Sequence, residues 1–527
     1  MPVFSALLAL TTSVAFYSPV MELILRMSSR FIDYFEKAPR WQLVLLTVIG
    51  GALIPLGFAP FFIWPILIPA LAVLMLVLRN RNARQALLYS FTFGLGMFGS
   101  GVSWVYVSIN VFGGAPPLLA IAMTLIFVSF IALVFALPFW LHGRFFSRHP
   151  SGLLLAFPLL WFFGEWTRSW LLTGFPWLYV GYGHLNTPLA GWAPILGVSG
   201  VSLLSVFTAA ALVHLVYTPA RSRNAFITTT AALLIWAGGA LLQQVSWTQL
   251  DKEPIRVGMV QPDIAQDVKW ELSYVQPTLD MLTEMTDELW ENDWVIWPEA
   301  AVPLTYQQAL PFLNEINNKA AETGTGLVTG IIFDDREQQR YYNSIAGFGE
   351  AMGIYHKRRL VPFGEYVPLE HWLRGLINFF NLPTSIISAG PWEQHNLRIK
   401  QTDITPAICY ELAYPELLAK SAQKTQVLLS ISNLGWFGKS IGPHQFMQMG
   451  QMRALETGRY LIYSTNNGSS ALINHKGQIE VESEPFTRQT LNGSIYAATG
   501  KTPFMRFGHW PLVILSAFGL AWLIYRK

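Results

Sequence analysis

TPAICYELAYPE, residues 405 to 416, runs from an apolar stretch into a thiol at Cys409 and then meets Glu411 and Glu416. An apolar run that stops at a reactive side chain is the pattern of a strand in an α/β fold, where chemistry gathers at strand ends. Neighbouring segments repeat the apolar part. IRVGMVQ (255–261), WVIWPE (294–299), GLVTGIIF (326–333), YNSIAGF (342–348) and VLLSISN (427–433) alternate with helical stretches from Val275 to Glu291 and from Pro311 to Glu322. Strands apolar on both faces need cover on both faces, so this half is expected to hold sheets covered by helices. About 250 residues suffice for one such domain. Cys409 is the only cysteine in 527 residues, which excludes an intramolecular disulfide.

Outward from this region the chemistry of the chain changes. Hydrophobic residues make up 52% and charged residues 13% of the whole, against about a quarter charged in a soluble protein. The segments 85–143 and 169–220 contain no Asp, Glu, Lys or Arg, whereas 251–300 carries twelve acidic and three basic residues. Two physically different regions therefore share one chain. A crossing helix needs about 20 apolar residues. Eight candidates fit: Trp41–Phe58, Phe61–Leu78, Gln85–Tyr106, Leu118–Leu141, Gly152–Phe163, Val198–Tyr217, Ala225–Leu242 and His509–Tyr525. The fifth is short, and either continues into GEWTRSW or is partly re-entrant.

Short loops rich in Lys and Arg stay on the cytoplasmic side. Arg79, Arg81 and Arg84, then Arg144 and Arg148, then Arg221 and Arg223, and finally Arg526 with Lys527 all fall on one side of this eight-span pattern. The segment between the last two spans is then extracytoplasmic. The expected organisation is an N-terminal extension over 1–40, seven transmembrane helices over 41–243, an extracytoplasmic domain over 244–508 and an eighth helix over 509–527. FSALLALTTSVAFYSPVMELIL (4–25) lacks a basic start and a clean A-x-A site, so it does not read as a cleaved signal peptide. A net charge of +3, with no basic stripe among aromatics, points away from nucleic acid. No metal cluster or nucleotide motif suggests a cofactor.

Three residues carry complementary chemistry at strand ends. Glu299 ends WVIWPE, Lys357 stands in YHKRRLVPFGEYVP (355–368), and Cys409 ends ITPAICYE (404–411). A thiol is mostly protonated at neutral pH and needs a base to become an efficient nucleophile, which Glu299 can supply. A cation such as Lys357, with a backbone N–H near Cys409, suits the oxyanion formed on attack at an ester carbonyl. The protonated glutamate can then return its proton to the leaving alcohol. Taken singly, each has a plainer reading: Cys409 as a buried small hydrophobe, Lys357 beside Arg358 and Arg359 as a solvated basic patch, Glu299 as a helix-entry carboxylate. Together, the three point to catalysis.

This order of Glu, Lys and Cys in strand context resembles the nitrilase superfamily. LVPFGEYVP (360–368), SNLGWFGKSIGPHQ (432–445) and MRALETGRY (452–460), beside a multi-span part, resemble the bacterial apolipoprotein N-acyltransferase family over roughly residues 40 to 527. The resemblance implies an αββα sandwich on a platform of about eight membrane helices, in the bacterial inner membrane with the catalytic domain on the periplasmic side. It implies a monomeric enzyme without a cofactor that takes an sn-1 acyl chain from phosphatidylethanolamine onto Cys409 and passes it to the α-amine of S-diacylglyceryl-cysteine on an apolipoprotein. It also gives supporting roles. Glu365 would position Lys357 or the acceptor, Asn343 would orient Lys357, Tyr410 and Glu411 would shape the pocket behind the thiol, and Arg374 would contact substrate from a loop; the plainer readings are Asn343 as a strand-edge polar group, Glu411 as a charge at a helix N-terminus and Arg374 as a surface residue. Trp247 reads as a lipid-facing gate, as in the family, or as an interfacial anchor.

Outside the matched motifs, Glu165 and Arg168 are expected to compensate one another at the membrane surface. The apolar stretch 369–391 is either a lid dipping into the outer leaflet or a core helix. Two other functions remain open. One is a membrane-tethered nitrilase-like amidase or hydrolase, for which an eight-span platform and apolar lid would be superfluous. The other is a non-catalytic lipid-binding or transporter-like protein, which paired half-helices and intramembrane charges would support and which this chain lacks.

Overall fold

The computed structural model describes residues 34–219, 222–362, 364–366, 387–395 and 397–526. The N-terminal stretch 4–25, Arg374 and most of the expected lid, 369–386, lie outside the described residues.

The first half is helical. Its main helices are α1 (Arg40–Leu53), α2 (Leu67–Leu78), α3 (Ala83–Gly101), α4 (Pro117–Leu141), α5 (Phe157–Arg168), α6 (Ala193–Tyr217) and α7 (Arg223–Leu242). Asn82 starts α3 with a reciprocal cap, accepting from the Gln85 backbone N–H while its own N–H donates to the Gln85 side chain. α1 and α3 approach closely because glycine lines both faces. A Cβ at Gly51 would lie 1.9 Å from the Phe93 carbonyl oxygen, and one at Gly96 would lie 2.0 Å from that of Val48. Small residues at such crossings let apolar helices pack by van der Waals contact where the hydrophobic effect gives little.

Helices occupy all eight expected positions, but among the described residues four are long and apolar enough to cross a membrane: Arg40–Gly57, Pro117–Phe146, Pro188–Tyr217 and Arg223–Leu242. A fifth is a pair, Ala83–Gly101 with Trp104–Phe112, bent by 55°. The expected second span is shortened to Trp64–Leu78, since Phe62 has a left-handed φ of 54° and Pro65 opens the helix. The fifth expected span continues through α5 to Arg168.

The second half is an α/β sandwich. Its strands are β1 (Ile255–Gln261), β2 (Trp294–Ile296), β3 (Gly326–Asp335), β4 (Arg340–Gly349), β5 (Ala351–Met352), β6 (Ile354–His356), β7 (Leu397–Ile399), β8 (Thr402–Ile408), β9 (Val427–Ser432), β10 (Leu461–Thr465), β11 (Ala471–Ile473), β12 (Ile479–Glu482) and β13 (Gln489–Ile495). Among the described residues they form a six-stranded sheet, β13-β1-β2-β3-β4-β6, and a seven-stranded sheet, β12-β11-β10-β9-β8-β7-β5. The centre of each is parallel: β1, β2 and β3 in one, β8, β9 and β10 in the other. Val257, Ile296, Val328 and Ile345 of the first sheet meet Ile404, Ile408, Leu429 and Ile431 of the second to form the core between them. Helices α8 (Leu272–Asp287) and α9 (Leu310–Thr323) cover the first sheet's outer face.

The second sheet is covered by α10 (Pro415–Ser421) and α11 (Gly442–Thr457), whose apolar residues share one continuous core with the membrane-type helices. Phe446 stacks on Trp177 at 5.9 Å. Polar side chains of α11 also cross the boundary. Gln445 accepts from Trp177 Nε1 at 2.7 Å and donates to the Gly101 carbonyl at 3.1 Å, and Gln448 donates to the Tyr182 carbonyl at 3.0 Å. One layer of the sandwich is thus also its seat on the helical half.

Candidate active site

β8 ends at Ile408, and Cys409 follows with a left-handed φ of 49° before a 3₁₀ turn through Ala413. A non-glycine residue pays steric strain there, and the sharp strand-to-turn bend turns its side chain out of the sheet. Cys409 keeps partial exposure while its strand neighbours are buried. Glu411 fixes the bend from within. Its carboxylate accepts from Ile408 N at 2.9 Å, Tyr355 Oη at 2.8 Å, Arg358 N at 2.8 Å and Arg359 N at 3.3 Å. Burial raises the Glu411 acid above the usual range and these donors offset part of that rise. Its role is to tie the bend to the segment that carries Lys357.

Glu299 lies just beyond β2, in the first sheet. β3 runs so close behind it that a Cβ at Gly330 would lie 2.6 Å from Glu299 Cα, so only glycine fits. The carboxylate accepts from Asn343 Nδ2 at 2.7 Å and from the Asn433 backbone N–H at 2.7 Å. Lys357 follows β6 directly, and its backbone N–H donates to the Asn343 carbonyl on β4 at 2.8 Å. The Lys357 ammonium is buried, 2.8 Å from Glu365 and 3.6 Å from Glu299. Asn343 Nδ2 also donates to Glu365 at 3.0 Å, and Glu365 accepts from Val361 N at 2.9 Å.

The electrostatics follow from this packing. Burial pulls the Lys357 ammonium down, but the carboxylates of Glu365 and Glu299 outweigh it and hold the group well above the ordinary lysine value. It therefore stays a cation across the working range. Burial pushes the Cys409 thiol far up, Glu299 and Glu365 add to the rise, and Lys357 with the Tyr410 backbone N–H only partly oppose it. The resting thiol is protonated, with the Glu299 carboxylate beside it.

The structure brings Glu299, Lys357, Cys409, Glu365, Asn343 and Glu411 into one constellation. Tyr410 points the other way, to the helical half, where its hydroxyl donates to the Gly174 carbonyl at 2.8 Å. Trp247 is in the connection after α7, half-buried, with no hydrogen-bond partner for Nε1 among the described residues. Glu165 and Arg168 are buried rather than at a surface, and each is bonded elsewhere: Glu165 to Trp161 Nε1 and Val180 N, Arg168 to the Trp177 carbonyl. The returning chain from Trp177 to Val180 supplies these backbone partners.

Sequence reasoning missed Lys269. Its buried ammonium donates to the Glu299 carbonyl oxygen at 3.1 Å, and burial lowers it to about 8. The available signal was position, since Lys269 is the only cation between Arg256 and Lys319. Also missed was Asn433, which holds Glu299 through its backbone.

Sequence comparison accounts for both halves. Residues 50–211 match the family model of the apolipoprotein N-acyltransferase N-terminal domain, and 256–503 match that of carbon-nitrogen hydrolases. The apolipoprotein N-acyltransferase of Pseudomonas putida is 43% identical over 492 residues, 92% of this chain and 97% of the relative. That of Vibrio parahaemolyticus is 37% identical over 491 residues, 90% of this chain and 96% of the relative. The chain belongs to the apolipoprotein N-acyltransferase family. A Saccharomyces cerevisiae member of branch 10 of the nitrilase superfamily is similar at 18% identity and a TM-score of 0.36, covering 46% of this chain and 90% of that one. As a member of the apolipoprotein N-acyltransferase family, the chain joins a helical N-terminal domain to a hydrolase-type sandwich, the combination that its composition divides near residue 250.

Proposed function

We propose that this chain transfers an acyl group from a phospholipid, through a Cys409 thioester, to the N-terminal α-amine of a diacylated apolipoprotein. Cys409 Sγ attacks the sn-1 ester carbonyl as Glu299 takes the thiol proton. Lys357 stabilises the oxyanion, and Glu365 with Asn343 hold Lys357 and Glu299 in register. The C–O bond breaks, Glu299 returns the proton to the leaving glycerol oxygen, and lysophospholipid departs. The lipoprotein amine then attacks the thioester and loses a proton to Glu299, the C–S bond breaks, and Glu299 passes that proton to the departing sulfur to restore the free thiol.

The observation that supports this reading over a plain amidase is the continuous packing of α11 and the Cys409 bend onto apolar, membrane-type helices. A water-soluble amide would need no such seat, whereas two lipid-anchored substrates reach a thiol held at the bilayer surface. The corresponding architecture has eight spans, a domain boundary near 244 and another near 508, and the sandwich on the periplasmic side of the inner membrane. The segregated Arg loops support it. A compartment-sensitive reporter fused near residue 480 should be active only when exported, and one near residue 82 only in the cytoplasm. The reverse pattern would place the site in the wrong compartment.

The activity is tested with purified protein, phosphatidylethanolamine and two diacylglyceryl-cysteine peptides. The peptide with a free α-amine should gain one acyl mass. Its N-acetylated counterpart should gain none, and acylation of both would refute amine transfer.

A further inference from the structure

Arg359 is a cation with no carboxylate beside its guanidinium among the described residues, although its chain neighbour but one, Lys357, has two. Its backbone is fixed by the bond to Glu411 at 3.3 Å. Its guanidinium carbon lies 5.0 Å from the ring centre of Trp392 and 5.0 Å from that of Tyr414, and Nη1 donates to the Thr173 carbonyl at 3.4 Å. Nε is buried with no partner among the described residues. Aromatic faces hold a guanidinium in place while leaving its N–H donors free, which prepares it for a forked bond to an oxyanion.

The surroundings tell which oxyanion. Tyr414 Oη donates to the same Thr173 carbonyl at 3.0 Å, and Tyr410 Oη donates to the next carbonyl, Gly174, at 2.8 Å. Tyr410 directly follows Cys409, so Arg359 stands one side chain from the nucleophile's bend. Tyr366 is hydrogen-bonded to the Thr173 hydroxyl and closes the cluster. On the outer side, Trp170, Leu172 and Trp392 are 48%, 64% and 61% exposed. Exposed tryptophans around a cation mark the depth at which lipid headgroups lie.

We infer that Arg359 binds the phosphodiester of the acyl donor and so sets which ester of the lipid reaches Cys409. Arg359 is then a specificity-determining contact to the phosphate. This rests on the proposed use of a phospholipid donor. In the detergent-solubilised full chain, single-turnover acylation of Cys409 is measured by mass with phosphatidylethanolamine and with a diacylglycerol of the same acyl chains, which lacks phosphate. Arg359→Gln should slow acylation by phosphatidylethanolamine about ten-fold or more, the size of a lost charge-assisted bond. Its loss with diacylglycerol should be at least five-fold smaller. Arg359→Lys, which keeps the charge without the fork, should fall between and guards against a misfolded Gln variant. Equal losses with both donors would reduce Arg359 to a prop for Thr173 and Tyr414, and no loss would remove it from recognition; either overturns the inference. Failure of the unaltered protein to be acylated by phosphatidylethanolamine would instead overturn the proposed function.

Discussion

At the mouth of the sandwich Lys357 lies 2.8 Å from Glu365 and 3.6 Å from Glu299, while along α11 Arg453 lies 2.9 Å from Glu456 with both side chains 0% exposed. Both clusters bury a glutamate against a long cation. They differ in access. The first sets two carboxylates on the Lys357 ammonium, with the Lys269 ammonium on the Glu299 carbonyl, next to a partly exposed thiol. The second is neutral and closed, and its free capacity goes to the helical half: Glu456 accepts from Val198 N at 2.7 Å, and Arg453 donates to Tyr182 Oη at 3.3 Å. Val198 follows Gly197, whose φ of 68° interrupts α6 and frees that N–H for capture. Buried charge alone therefore does not mark chemistry. Buried charge beside a reachable reactive atom does.

The comparison is broken most easily at the first cluster. Glu299→Gln keeps the shape and removes the proton acceptor, and should slow acyl transfer by about 10² to 10⁴. Lys357→Ala should cost about 10² to 10³ through the oxyanion. Glu299→Gln should not greatly lower the melting temperature, whereas Lys357→Ala leaves two buried carboxylates without their cation and should lower it; a rate per folded molecule within a few-fold of the parent would show that these charges do not carry the chemistry.

The second cluster should respond in stability. Arg453→Met leaves Glu456 buried without its cation and should cost about 3 to 5 kcal/mol, read as a fall in unfolding temperature, while acylation per folded molecule stays within a few-fold. Adding Glu456→Gln should recover part of the loss, because a neutral side chain no longer demands a partner. If the double variant is the less stable, the pair contributes through its charges rather than through the bond to Val198.

A smaller effect sharpens the contrast by its sign. The thiol is held above its ordinary value, so at pH 8 its thiolate fraction is below that of free cysteine. Iodoacetamide should modify Cys409 more than ten-fold slower than a model thiol, with a rate still climbing above pH 9. Glu299→Gln removes a charge that raises the thiol. It should therefore speed alkylation at pH 8 while slowing acyl transfer, and slower alkylation would contradict this electrostatic picture.

The two clusters were unequally legible in the sequence. Glu299, Lys357 and Cys409 each end or follow a short apolar run, so their strand context and chemical fit are local properties. Glu365 and Asn343 were found through motif resemblance. Arg453 and Glu456 lay in a motif as well, MRALETGRY, yet their partners Tyr182 and Val198 are more than 250 residues away, and no local pattern reveals such a meeting. Glu165 and Arg168 show the converse. Their i, i+3 spacing suggested a pair, but a returning loop supplied backbone partners to both. Hydropathy located the helices, while glycine, proline and left-handed residues decided which of them run long enough to cross.

The central claim is that Cys409 carries the acyl group, and it can be measured without an acceptor. Full-length protein is incubated with phosphatidylethanolamine alone, digested and weighed. The peptide containing Cys409 should gain the mass of one acyl chain, with about one equivalent of lysophospholipid released, and hydroxylamine should remove that mass as it does from thioesters. Cys409→Ala protein should show neither. Transfer to a diacylglyceryl-cysteine peptide by the Cys409→Ala protein, or by the parent with no acyl-Cys409 trapped at any stage, would contradict the thioester route.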